Sequence, residues 1–251
     1  RMAVTTGSHR AVPASHPEGA GANPGPHAGW GAASGALLLD NGIGGLTADG
    51  DYEIHVRGDR LPPAPWANVI ANARGGCIVT ERGPGCAWVA NAQFYRLTPW
   101  RNDPVSDEPS DALYLRDEDT GETWSPTPAP VRSSDGAYTV RHAAGCTTFD
   151  HTRGGIETRL AIGMAANDPV RLALLRLTNH DRRARRLSLT AYVEWTLGAL
   201  REHTQHQVVT SSAPEVSAIL ARNTFAADFA DRVAFCALSE PLTGFTADRR
   251  E

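Results

Sequence analysis

The sequence predicts an all-β protein built on two stacked antiparallel sheets. Three observations lead there. Arg186 to Leu197 alternates apolar and polar residues without a break. Short apolar runs recur between clusters of Gly, Pro, Asn and Asp. No strand–helix–strand rhythm interrupts them. So many one-sided strands bury their apolar faces most simply by laying one sheet on another.

The elements follow in chain order. Residues 1–36 are rich in Gly, Ala, Pro, Ser and His, with little large apolar content apart from Trp30. Such a segment cannot offset its ordering entropy and predicts a flexible, disordered N-terminal tail or linker. The sandwich is expected over 37–251. Gly42-Ile43-Gly44-Gly45 lacks the Lys-Ser/Thr of a phosphate loop and reads as a turn before a strand at Tyr52 to Val56. Leu61 to Asn72 carries three prolines, which predicts an ordered segment outside any ladder. Leu113 to Leu115 and Glu122 to Trp124 flank a hairpin loop. Ile156 to Met164 alternates like Arg186 to Leu197. Val170 to Thr178 is apolar on both faces, which predicts a central strand covered on both sides. Val216 to Ala221 and Val233 to Leu238 add two further strands.

Composition excludes several classes. Net charge is −4, which argues against a polybasic surface for nucleic acid. Cys77, Cys86, Cys146 and Cys236 match no zinc spacing and read as buried, reduced thiols. No run of about 18 apolar residues predicts a membrane span. No apolar signal core is visible, and a cytoplasmic setting fits. His203 and His206 would point to opposite faces of a strand, which argues against a metal pair. Asp103, Asp107, Glu108, Asp111, Asp117, Glu118 and Asp119 read mostly as loop carboxylates facing water. No G-x-S-x-G elbow occurs.

The richest constellation is Asn91 to Asp107, NAQFYRLTPWRNDPVSD. Guanidinium, indole, amide and carboxylate stand together on a proline-stiffened loop. Planar polar groups bond sugar hydroxyls, and an aromatic face covers the apolar side of a pyranose. The alternative is a structural loop in which Trp100 fills a core edge and Asn102 and Asp103 cap a turn.

The residues then resemble one family. They are NGIGGL (41–46), PAPWANVIAN (63–72), RLTPWRNDPVSD (96–107), LYLRDEDTGETWSPTP (113–128), RLSLTAYVEWTLG (186–198), LARN (220–223) and RVAF (232–235). This pattern is similar to the phosphorylase region of cyclic β-1,2-glucan synthases and to glycoside hydrolase family 94, from about Leu39 to the last residue. The resemblance implies a β-supersandwich of the galactose-mutarotase type, here C-terminally incomplete, followed in the family by an (α/α)₆ barrel. It implies inverting phosphorolysis, with a barrel Asp as general acid and inorganic phosphate as co-substrate. No metal or organic cofactor is implied. The implied partners are a β-glucan oligosaccharide, the barrel in cis or in trans, and in some members a second subunit across a dimer interface. Full-length synthases are attached to the inner membrane through other domains. Without the barrel the chain is expected to be catalytically inert. General-acid transfer alone is worth on the order of 10² to 10⁴ in rate. Arg96, Trp100, Asn102 and Asp103 are the candidate substrate-binding residues. Arg96 would orient hydroxyls or a carboxylate, Trp100 would pack, and Asn102 and Asp103 would hydrogen-bond. Phe94, where the family pattern implies a polar residue, and Arg74 to Cys77, where it implies an aromatic, depart from it. A stand-alone carbohydrate-binding sandwich and a structural remnant are the competing readings.

Overall fold

A computed structural model describes residues 2–6, 11–12, 35–132, 136–225 and 230–246. The strands, in chain order, are β1 (Met2–Thr6), β2 (Ala11–Val12), β3 (Gly44–Leu46), β4 (Tyr52–Arg57), β5 (Ala67–Asn72), β6 (Gly75–Thr80), β7 (Gly83–Val89), β8 (Asp111–Asp117) and β9 (Thr123–Trp124). They continue with β10 (Ala137–Ala143), β11 (Cys146–Arg153), β12 (Ile156–Met164), β13 (Arg171–Asn179), β14 (Arg185–Val193), β15 (Val208–Ala213), β16 (Ala218–Asn223), β17 (Ala234–Ala237) and β18 (Gly244–Thr246). One helical turn, α1 (Arg201–Thr204), precedes β15.

The first large sheet has the order β13-β12-β11-β10-β4-β3, and the second β18-β1-β14-β8-β9, with β2 also on β14. Two three-stranded sheets, β5-β6-β7 and β15-β16-β17, accompany them. The pairing is antiparallel throughout the described ladders. Period two explains the main core. In β12, Ile156, Thr158, Leu160 and Ile162 are buried while the residues between them are half-buried. Ile54, Val56, Tyr138, Val140 and Phe149 from the same sheet pack with Ile70, Cys77, Val79 and Ala87 of the β5-β6-β7 sheet. Leu115, Trp124, Ile156 and Leu187 join the two large sheets.

Glycine allows one close approach. A Cβ on Gly76 would lie 2.5 Å from the Trp88 ring and 2.8 Å from the Ala71 side chain, so the ring can lie over β6 only because position 76 is bare. The departure noted at Arg74 to Cys77 therefore has a packing role.

Several expectations need correction. β13 is not central but forms the outer edge of its sheet, with Leu172 55% and Leu174 48% exposed. Leu175 and Leu177 pack inward, while the opposite face looks outward. Apolar residues on both faces do not distinguish a central strand from an edge. Beside β13 a cleft of about 1130 Å³ separates it from β8 and β14.

The long strand expected to Leu197 leaves its ladder at Val193. Alternation continues, but the partner changes: Thr196 N–H donates to Leu97 O (2.8 Å), and Arg96 and Gly198 exchange both backbone bonds (3.2 Å). Leu197 turns the chain there with φ +46, a conformation that disfavours a branched side chain. Leu61 to Trp66 stays outside any ladder, but Ala67–Asn72 forms β5, because Pro62, Pro63 and Pro65 all precede it. His203 lies in a helical turn rather than on a strand.

Within the segment expected as a tail, the structure describes two strands, β1 and β2, both antiparallel to β14. The rest of the segment before residue 35 lies outside the described residues. Asp111 and Asp117, expected among solvated carboxylates, are buried. All four thiols are free, with Cys77 and Cys86 buried and Cys146 and Cys236 partly so.

Candidate functional site

The loop between β7 and β8 is built from its ends inward. Asn91 starts it with a side-chain turn, its Oδ1 accepting from Gln93 N–H (2.8 Å) and Phe94 N–H (3.1 Å). Arg96 then pairs with Gly198, and Thr98 is buried, with Oγ1 accepting from Ala87 N–H (2.9 Å). These bonds fix both the start of the loop and the chain it rests on.

Arg96 is largely consumed by structure. Its Nε donates to Ala92 O and its Nη1 to Ala199 O, both at 2.9 Å. The guanidinium carbon stands 5.4 Å from the centre of the Trp100 ring, within cation–π range. Trp100 does not fill a core edge: it is 49% exposed, seated on that guanidinium. Phe94 and Leu200 are also exposed nearby in the chain, on either side of the Arg96–Gly198 bridge.

Asn102 is exposed and left-handed, with φ +49, a conformation asparagine tolerates better than most residues. Asp103 closes its own turn. Its Oδ1 accepts from Val105 N–H (2.9 Å) and Ser106 N–H (3.3 Å), and its Oδ2 from Ser106 Oγ (2.6 Å). The Ser106 hydroxyl, then the two amides, hold its carboxyl below the usual range. The structure thus brings Arg96 and Trp100 together and spends Asp103 on a turn.

Three neighbours were not singled out by the sequence. Arg101 pairs with buried Glu194 and, at 3.2 Å, with Glu108. Glu194 sits among residues whose alternation marks them as outward-facing. No signal in the alternation set it apart, because the partner change after Val193 arises only in the folded chain. Below the loop, Asp107 accepts from Thr80 Oγ1 (2.6 Å), and buried Glu81 accepts from Trp66 N–H (2.8 Å). Burial, with a smaller push from Asp107, raises Glu81 to about 7.

The arrangement can present a supported indole to the apolar face of a sugar ring, with polar groups at its border. The cleft beside β13 is lined mainly by Leu, Val and Ala, with the Asp111–Arg171 pair (2.8 Å) among its polar groups. No group of three or more His, Cys, Asp or Glu side chains that could hold a metal occurs among the described residues. No helix there is long and apolar enough to cross a membrane.

The described residues define an all-β sandwich class of domain. The chain belongs to the glycosyl hydrolase 94 family, whose supersandwich-domain model matches residues 50–251. It is 34% identical over 218 residues to a cyclic β-(1,2)-glucan synthase of Rhizobium meliloti (strain 1021), covering 86% of this chain and 8% of the synthase. It is 25% identical over 154 residues to an N,N'-diacetylchitobiose phosphorylase of Vibrio proteolyticus, covering 60% of this chain and 19% of that enzyme. A solabiose phosphorylase of Paenibacillus borealis is 31% identical over 94 residues, 38% of this chain and 12% of that enzyme. The chain therefore spans less than a fifth of each of these relatives.

Proposed function

We propose that this domain is the substrate-facing, non-catalytic sandwich of a β-glucan phosphorylase or cyclic β-1,2-glucan synthase, and that the loop from Arg96 to Glu108 faces the glycan. The observation that carries the reading is Trp100, half-exposed yet fixed on Arg96. An exposed indole held in place costs little entropy when a sugar covers it. Kinship with the β-1,2-glucan synthase, matched over 86% of this chain, favours that linkage.

In this reading an (α/α)₆ barrel, in cis or in trans, supplies the general acid and phosphate is the co-substrate. No metal or organic cofactor takes part, and a second subunit can complete the site. The free thiols support a cytoplasmic setting for the domain. The 251 residues alone form no glucose 1-phosphate.

Calorimetric titration with β-1,2-glucooligosaccharides tests the binding half. A binding heat at millimolar sugar that disappears in Trp100→Ala is expected. No binding, or binding unchanged in that variant, would overturn the reading. Glucose 1-phosphate formed by the purified chain from such a glucan and phosphate would overturn the claim of inertness.

A further inference from the structure

Glu194 is the first residue after β14. Its backbone N–H donates to Ser110 O (3.0 Å), and its side chain is only 7% exposed. One carboxylate oxygen pairs with Arg101 of the loop. The other faces Arg201 Nε at 3.1 Å, at the first residue of α1. Arg201 is itself steered by its Nη1–H bond to Gln205 Oε1 (2.8 Å). One buried carboxylate therefore gathers two guanidiniums from segments distant in sequence.

Each of those arginines follows an exposed apolar residue. Trp100 precedes Arg101, and Leu200, 46% exposed, precedes Arg201. Arg96 links the same two places from the other side, through its contact with the Trp100 ring and its bond to Ala199 O. The segments are thus tied twice. A buried charge needs its partners, so loss of the Glu194 charge would release both arginines together.

We propose that Glu194 is a positioning residue that holds Trp100 and Leu200 as one apolar platform, making α1 the second rim of the glycan site. This rests on the glycan-facing reading of the loop. Hydrogen exchange and calorimetric titration with a β-1,2-glucooligosaccharide test it on the 251-residue chain. In Glu194→Gln, exchange across 99–108 and across 199–206 rises about tenfold, and glycan affinity falls about tenfold, while β11 and β12 keep their protection.

Arg101→Met loses about the same affinity, and the double variant loses no more than either single one. Arg101→Lys, which keeps the cation, restores affinity to within about threefold of the parent. If only one segment loosens, if neither does, or if the single losses multiply in the double variant, the proposal is wrong. If both segments loosen but the parent chain binds no glycan, the glycan-facing reading fails and the mechanical coupling stands. Should Glu194→Gln not fold, Arg101→Met and Arg201→Met carry the same pair of readouts, since both arginines reach the surface.

Discussion

At the corner where β8 approaches the start of β14, Arg185 and Asp117 are sealed from water, whereas at the rim Arg96 holds the Trp100 ring out into it. The corner uses every group internally. Arg185 Nε donates to Asp117 Oδ2 (2.7 Å) and Nη1 to Gly154 O (2.7 Å), and Nη1 also meets Asp181. Asp117 Oδ1 accepts from Asp119 N–H (2.8 Å) and Thr120 N–H (3.0 Å). Burial works against the Asp117 charge, but Arg185 and the two amides outweigh it and hold the carboxyl below its usual range. The rim spends its arginines on carbonyls and on Glu194, yet leaves the Trp100 ring half uncovered. Similar residue types thus serve a closed structural knot in one place and a presented surface in the other. What separates them is that the rim leaves an apolar ring exposed beside its charges.

Variants that break the corner should show the largest effect. Arg185→Met leaves Asp117 buried without its cation and is expected to cost about 3–5 kcal/mol, read by urea unfolding. Asp117 also sets an acid limb. Its folded-state pKa is depressed, so its contribution is complete above the ordinary carboxylate range and is lost as pH falls through the lower folded value. In the parent, stability should therefore drop below about pH 4.

Glu81, beneath the rim, gives the next largest effect with the opposite sign. Its folded pKa is raised from 4.5 to about 7. Between those values the unfolded chain has lost a proton that the folded chain keeps, so stability falls as pH rises, by about 3 kcal/mol at most. Glu81→Gln should flatten that slope and be the more stable form at pH 8, measured by urea unfolding at pH 5 and 8. The rim itself should matter least for folding. Trp100→Ala is expected to change stability by less than about 0.5 kcal/mol, while weakening glycan binding about tenfold. Asp103→Asn keeps an acceptor for its own turn and should alter glycan affinity less than about twofold.

Much of the fold was legible in the sequence because period two is a local signal. Ile156 to Met164 matches β12 residue for residue. The misreadings share one physical cause: alternation specifies faces, not partners. It cannot tell that Val170 to Thr178 lies at an edge, or that Arg186 to Leu197 changes partner at Val193. At the candidate site, the loop stood out by composition. The division of labour within it did not, since Arg96, Asp103 and Glu194 acquire their partners only when segments distant in sequence meet, or when the turn closes. Asp117 looked like a solvent-facing loop residue because its partner, Arg185, lies far along the chain.

The most direct test of the glycan-facing rim is the indole N–H spectrum during titration with a β-1,2-glucooligosaccharide. Trp100→Phe assigns the Trp100 signal. The account predicts that this signal shifts progressively with sugar, while those of buried Trp124 and Trp195 stay in place. A stationary Trp100 signal at millimolar sugar, or shifts confined to the buried indoles, would contradict it.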